Sequence, residues 1–220
     1  MTQISDYDPG DVEDRPTAPT WWRERADGAH ETHRQLLPAR LRKRGARAAR
    51  LEGSLVPLAE QDRHKWDQVQ ITEGIALISA ALPQGEVGPY QLQAAIAAVH
   101  DEAKTMADTD WPQILGLYDL LERTGANPFT ALNRAVAVAM MHGPEAGLEV
   151  IAKLAADKRM AQHHRLLAAR AHMRELAGDT EAAAADYLDA ARHATSLPER
   201  RCLALQAARL TRDGTARPDR

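Results

Sequence analysis

Apolar residues recur at helical spacing along most of the chain after residue 60. Between residues 61 and 82 the intervals are mostly three or four, which predicts one helix with an apolar stripe facing a core. That stripe consists of Trp66, Val69, Ile75, Leu77, Ile78 and Leu82. Pro83 and Gly85 predict its end. No stretch alternates apolar and polar residues convincingly, so the pattern predicts helices and no sheet.

Capping residues followed by proline mark where the later helices begin. Asp110 stands before Trp111-Pro112, and Asn127 stands before Pro128. Glycine–proline pairs at 88–89 and 143–144 give further starts, and Ser196 with Glu199 forms a capping box for a last helix over about 198–210. We therefore predict an all-α fold of about eight helices with short connections.

The helix breaks recur at the period of a helix pair. Gly143 and Gly178 are 35 residues apart, close to the period of about 34 in tetratricopeptide repeats. With Gly178 at the turn, the unit spans 164–197, and small or aromatic residues fall where two helices would approach closely: Ala171, Ala183, Tyr187 and Ala190. The pair around Gly143 fits less well, because Leu148 stands where alanine is expected. We predict tetratricopeptide-like antiparallel helix pairs forming a right-handed superhelix.

The chain divides into three parts on composition. Residues 1–50 contain several prolines and little periodicity, so we expect a poorly ordered segment, with at most a weak helix over 31–50. Residues 51–212 form the helical domain, and 213–220 a disordered tail. The first part ends in a basic junction made of Arg40, Arg42, Lys43, Arg44, Arg47 and Arg50. Contact with phosphates is one interpretation of this run, and a solvated basic helix or linker is the favoured one.

Composition excludes several classes of protein. The 220 residues carry 28 Lys+Arg and 31 Asp+Glu, a net charge of −3, so the whole chain is not an electrostatic footprint for nucleic acid. The single Cys202 allows neither an internal disulfide nor a cysteine-based zinc site. No apolar run is long enough to span a bilayer, and the acidic start is unlike a signal peptide. The sequence predicts a cytoplasmic protein that does not bind membranes.

Motifs for catalysis or metal binding are weak. His30 and His33 flank Glu31, but a zinc helix needs its two histidines four residues apart. His163 and His164 are adjacent and diverge on a helix, so we interpret them as an ordinary helix start. No serine lies in a nucleophile elbow, and no glycine-rich phosphate loop is present. We predict no enzyme activity, no metal and no cofactor.

Polar residues within apolar helical stretches are the most unusual feature of the sequence. The candidates are Tyr90, Gln91, Gln93, His100, Asp110, Trp111, Tyr118, Asp119, Asn133 and Arg134. One interpretation, which we favour, is an internal network that pairs Arg134 with Asp119 or Asp110. If that pair were buried, removing Arg134 would cost about 3–5 kcal/mol. The alternatives are a polar groove that binds a peptide or partner loop, and an enzyme site, which ranks last.

A long ordered series of these residues carries a family resemblance. It includes Glu60-Gln61-Asp62-Arg63, Trp66-Asp67, the run 88–100, Asp110-Trp111, Leu117-Tyr118-Asp119, the run 132–137 and the run 143–148. The series resembles the C-terminal extension of a subgroup of extracytoplasmic-function sigma factors of the sigma-70 family. In that family the extension is a helical, tetratricopeptide-like tail behind the two domains that bind promoter DNA.

The resemblance implies a regulatory role. Residues 1–50 are too short to hold either promoter-binding domain, so we expect a truncated or split sigma factor. Its partners would be sigma domains, core RNA polymerase or a small partner protein, with DNA contacted only indirectly. No catalytic residue carries over from the family, and the candidates above carry over as structural or contact residues. The alternative is a free-standing tetratricopeptide-like adaptor that binds an unrelated protein or peptide.

Overall fold

Eight α-helices make up most of the part of the chain that the computed structural model describes, which is residues 50–51, 54–55, 57, 60–84, 87–125 and 127–215. They are α1 (Gln68–Ala81), α2 (Pro89–Glu102), α3 (Trp111–Arg123), α4 (Pro128–His142), α5 (Pro144–Leu154), α6 (His164–Leu176), α7 (Thr180–His193) and α8 (Leu197–Thr215). The all-α fold class and the number of helices are confirmed for these ranges.

Two kinds of short element accompany the helices. A hairpin pairs β1 (Arg50–Leu51) with β2 (Ser54–Leu55) in antiparallel register, with Arg50 opposite Leu55. Short 3₁₀ turns occupy Arg63–Lys65 and Leu82–Gln84. The hairpin was not predicted, because strands of two residues are too short to give an alternating pattern.

Capping explains where the helices begin. Asp110 Oδ1 accepts a hydrogen bond from the backbone N–H of Gln113 at 2.9 Å, and Asn127 Oδ1 accepts one from Phe129 at 2.9 Å. Each side chain satisfies one of the N–H groups that a first helical turn leaves without a partner. The predicted starts of α3 and α4 are therefore confirmed, as is the prediction for His163, whose Nδ1 accepts from Arg165 N at 3.2 Å at the start of α6.

Other predicted boundaries differ from the structure. The first helix begins at Gln68 rather than near residue 61, because Asp67 caps it by accepting from Gln70 N at 3.1 Å. Val69 lies on the solvent side of α1 and is 80% exposed, so its place in the apolar stripe was wrong. Ile71 and Gly74 are buried instead. The last helix extends to Thr215, beyond both the predicted 210 and the proposed domain limit at 212.

The helices pack mainly on their neighbours in sequence, around three apolar clusters. The first cluster lies among α1, α2 and α3 and includes Ala137 of α4, the second lies among α4, α5 and α6, and the third among α6, α7 and α8. Ile114, Ile151 and Leu166 are among the fully buried side chains. Contacts between consecutive helices are the pattern of stacked helical repeats. The right-handed superhelical path stays a prediction.

Two helix pairs repeat with a spacing of 36 residues when they are aligned on their N-caps. Asn127 and His163 cap the first helices of the pairs, and Gly143 and Asp179 cap the second. Under this spacing the following buried positions correspond: Ala135 with Ala171, Gly147 with Ala183, and Ile151 with Tyr187. The small positions predicted in the second pair, Ala171, Ala183 and Ala190, are all buried, which confirms them.

Gly147 corrects the prediction for the first pair. The prediction compared the pairs at Gly143 and Gly178, which put Leu148 at the small position. However, Gly143 itself caps α5, whereas Gly178 precedes the cap of α7, so the match moves by one residue. Gly147 is the small residue, and the first pair fits the repeat better than the sequence indicated.

The beginning and the end of the described body meet. Strand β2 packs against α8, and Gln206 Nε2 donates a hydrogen bond to Glu60 Oε1 at 2.8 Å across 146 residues of sequence. Gln206 also accepts from the guanidinium of Arg209, which in turn pairs with Glu175 on α6. Across the ranges described above, no helix combines the length and apolar character needed to cross a membrane.

Candidate functional site

Four of the predicted polar residues meet between α3 and α4. Arg134 Nε donates to Asp119 Oδ1 at 2.7 Å and lies 3.6 Å from Glu122 Oε2. Burial raises the pKa of the Tyr118 phenol to about 12, against a smaller lowering effect of the nearby Asn133 side chain. The bond from Arg134 to Asp119 joins α4 to α3, and it is one of the two pairings that the network interpretation proposed.

The ion pair between Arg134 and Asp119 is more exposed than the sequence suggested. The Arg134 side chain is 27% exposed and the Asp119 side chain 37%. Solvent therefore screens the pair, and double-mutant cycles on such pairs give about 0.2–1 kcal/mol. The cost of about 3–5 kcal/mol for removing Arg134 was conditional on a buried pair, and the partial exposure of both side chains contradicts that condition. Asp110, the other suggested partner, caps α3 instead.

A second cluster forms around Arg63, a residue to which the sequence assigned no role. Arg63 is buried, at 6% exposure, and its Nη1 donates to the backbone oxygens of His100 at 2.7 Å and Ala103 at 2.8 Å. It also lies over the Trp66 ring, 5.1 Å from the centroid. These oxygens belong to the last turn of α2 and the residue after it, so the cation neutralises the negative end of that helix.

His100 lies between this cation and Trp111. Its ring meets the Trp111 ring edge to face, with 5.3 Å between centroids. Desolvation and, to a smaller extent, the nearby Arg63 charge together lower the pKa of His100 to about 4. The imidazole is therefore neutral near pH 7. Its Nδ1 is buried and has no hydrogen-bond partner within the described ranges.

The remaining predicted residues separate into caps and surface residues. Gln91 is buried, and its Oε1 accepts a hydrogen bond from Gly88 N at 2.9 Å. This bond closes the first turn of α2. Tyr90 and Gln93 are exposed on the same helix, and Asn133 is exposed on α4. The ten candidates therefore fall into two clusters and two caps, with Tyr90 and Gln93 outside them and Asn133 exposed at the edge of the first cluster.

Phe129 is a further exposed residue near Asn133, although the sequence did not single it out. It is 39% exposed in the first turn of α4, one helical turn before Asn133. Its ring meets the His163 ring edge to face at 5.0 Å between centroids, and His163 stacks on His164 at 4.6 Å. The signal in the sequence that could have identified it is an aromatic residue directly after the Asn127-Pro128 helix start.

A cavity of about 340 Å³ lies at the end of α2 and the start of α3. It is lined by Val99, Glu102, Ala103, Lys104, Asp108, Asp110 and Gln113. Burial raises the pKa of the Glu102 carboxyl. Of the ten candidates only Asp110 contributes to this lining, so the cavity is separate from the predicted groove.

A third polar cluster ties the last three helices together. Asp186 is buried on α7 and accepts two hydrogen bonds from Arg170, at 2.8 and 2.7 Å, and one from Arg174 at 2.9 Å. On α6, Glu175 accepts from the Tyr187 hydroxyl at 3.1 Å and pairs with Arg209 of α8. These charges satisfy one another within the helix stack.

Histidine and cysteine are among the side chains of this sequence that were considered for metal binding or nucleophilic catalysis. Among the residues described, no group of three His, Cys, Asp or Glu side chains is arranged to hold a metal ion. His30 and His33, and the basic run apart from Arg50, lie outside the described residues. Cys202 is half-buried on α8, and burial together with the Glu60 charge raises the pKa of its thiol.

The fold and these contacts define a class: an all-α protein of stacked helix pairs whose polar clusters join neighbouring helices. Over 102 residues, 46% of its length, the chain is 47% identical to "Uncharacterized protein R00370" of Rhizobium meliloti (strain 1021). The match spans about a quarter of that relative, 24% of its length. No protein-family model and no solved structure matches the chain. The likeness relates this chain to part of a longer protein.

Proposed function

We propose that this chain is a protein-interaction module, the regulatory domain of an extracytoplasmic-function sigma factor that acts in transcription. Its partners are sigma domains, core RNA polymerase or a small partner protein, and DNA is contacted only through them. The setting is the bacterial cytoplasm.

The stacked helix pairs are the observation that carries this proposal. Two pairs repeat at 36 residues with small residues at Ala135, Ala171, Gly147 and Ala183, and each helix packs on its neighbours. Such stacks expose long surfaces made of side chains from successive helices, and those surfaces bind proteins without large rearrangement. Residues that carry the sigma-factor resemblance also begin helices here, at Gly88-Pro89, Asp110-Trp111 and Gly143-Pro144.

The length of the relative supports a role as one module among others. About three quarters of that protein lie outside the matched segment. A segment that recurs beside additional chain agrees with a domain that modifies the work of other domains.

Two matching helix starts supply the proposed contact surface. Tyr90 and Gln93 are three residues apart on α2, and Phe129 and Asn133 are four apart on α4, so each pair lies on one helix face. Each helix thus exposes an aromatic ring beside an amide. Aromatic side chains are enriched at binding hot spots, and an amide can donate to and accept from a partner backbone.

A binding experiment tests the proposal. The purified chain is applied to core RNA polymerase and, separately, to the promoter-binding domains of sigma factors from the same bacterium. We expect binding by at least one of them, and loss of most of that binding in the double variant Tyr90→Ala, Phe129→Ala. Leu188→Ala is the matched control, since Leu188 is 45% exposed on α7, away from both helix starts.

The possible outcomes separate the two classes of interaction protein. Absence of binding to polymerase and to every sigma domain would overturn the sigma-factor proposal. A free-standing adaptor would then be the better explanation, and it predicts no sigma-like reading frame immediately upstream of the gene. If Leu188→Ala weakened binding as much as the double variant, the proposed contact surface would be wrong.

A further inference from the structure

Between Leu197 and Arg212, one face of α8 is exposed and carries no acidic residue. Its members are spaced by three or four residues and comprise Leu197, Arg201, Leu205, Ala208 and Arg212. We call these residues the α8 face. Leu197 is 53% exposed and Leu205 is 57% exposed, and the two lie eight residues apart on the same face. The face is therefore both apolar and cationic.

The hairpin at the start of the described part of the chain lies beside this helix. Arg50 belongs to β1, β1 pairs with β2, and β2 packs against α8. Glu60, a few residues later, bonds to Gln206 of the same helix. The point at which residues 1–49 connect to the described part, Arg50, therefore belongs to a hairpin that packs on α8.

The composition of residues 1–35 complements the α8 face. They contain eight acidic and four basic residues, and two adjacent tryptophans at Trp21 and Trp22. The 28 residues from Arg23 to Arg50 span at most about 90 Å, whereas the 19 residues of α8 extend about 28 Å. Chain length thus permits the tryptophans to reach any point on the helix.

We propose that residues 1–35 of this same chain cover the α8 face. Trp21 and Trp22 pack on Leu197 and Leu205, while the acidic residues around them face Arg201 and Arg212. Apolar burial supplies the affinity, and the opposite charges set the orientation. This proposal does not depend on the sigma-factor function, because it concerns contacts within one chain.

Indole nitrogen signals in NMR spectra provide the test. The full chain has four tryptophans, so four indole N–H signals report separately on Trp21, Trp22, Trp66 and Trp111. We expect Leu205→Glu to shift the signals of Trp21 and Trp22, because the new carboxylate removes an apolar contact and repels the acidic segment. Leu188→Glu on α7 is the matched control and should leave both signals in place.

A second variant covers the case in which Leu205→Glu disturbs the fold. Replacement of both Trp21 and Trp22 by serine should speed hydrogen exchange of the α8 amides, with the far-UV circular dichroism spectrum unchanged. The proposal is overturned if neither Leu205→Glu nor the double serine variant has its expected effect. It is also overturned if the Trp21 and Trp22 signals move on dilution, since the segment would then cover a second copy of the chain.

Discussion

Replacing Gly147 by alanine tests the packing of α4, α5 and α6 directly. A Cβ atom on Gly147 would lie 2.6 Å from the Ala139 Cβ, 2.7 Å from the Met173 sulfur and 3.1 Å from the Ala135 carbonyl oxygen. The Met173 side chain can move, but the two atoms of α4 are fixed to its backbone. Helix α5 must therefore shift away from α4 by an appreciable fraction of an ångström.

The magnitude follows from two opposing effects. Overpacking of this kind costs about 1–3 kcal/mol, and the close contact with α4 favours the upper end. Alanine gains about 1 kcal/mol over glycine in helix propensity. We expect a net loss of about 2 kcal/mol, which for a body of this size lowers the Tm by about 4–8 °C.

Gly116 is the matched control, because it is a helical glycine with no heavy atom within 4 Å of the added Cβ. Gly116→Ala should keep or raise the stability by up to about 1 kcal/mol, since only the propensity gain remains. Thermal and urea unfolding followed by circular dichroism measure both variants. If Gly147→Ala were as stable as the original chain, the close approach of α5 to α4 would be wrong.

Two further predictions concern the polar clusters. In a double-mutant cycle with Arg134→Ala and Asp119→Ala, urea unfolding should give a coupling energy below about 1 kcal/mol, because solvent screens the pair; a coupling near 3 kcal/mol would show a buried pair. The pKa of His100 is lowered to about 4 in the folded protein from an ordinary 6.5. Between these two pH values the unfolded chain therefore binds more protons than the folded protein. The free energy of unfolding consequently falls as the pH decreases from 6.5 towards 4. Urea unfolding at pH 7 and pH 5 should show a smaller decrease in the free energy of unfolding for His100→Gln than for the original chain. Part of the decrease should remain, because the pKa of His172 is lowered in the same direction. If His100→Gln showed the same decrease as the original chain, the burial of the imidazole would be contradicted.

Helix starts and the pairing across α3 and α4 could be predicted from the sequence because their determinants are local or repetitive. Asp110 and Asn127 cap helices through backbone groups two or three residues away, so the signal lies within one turn. The pairing of Arg134 with Asp119 could be proposed because both are charged residues in neighbouring apolar helices. Its strength could not, since exposure depends on how the two helices are turned.

Arg63 shows what local patterns cannot reveal. Its partners are backbone oxygens 37 and 40 residues away, and backbone atoms leave no mark on the sequence. The shift from Leu148 to Gly147 has a similar cause, because one glycine serves both as the end of α4 and as the cap of α5. In the first pair the glycine itself is the cap, whereas in the second pair it precedes the cap. Every later position of the two pairs therefore corresponds one residue away from where the glycines alone would place it, and this shift is visible only in the backbone.

The hydrogen bond between Glu60 and Gln206 has a consequence for how the protein unfolds. A stack held only by neighbouring contacts can lose its terminal helix without disturbing the rest. Here α8 cannot separate unless the segment before α1 is released at the same time, although 146 residues lie between the bonded side chains. We therefore expect the two ends to open as one cooperative unit, and to form late in folding, because a contact so distant in sequence carries the largest cost of loop closure.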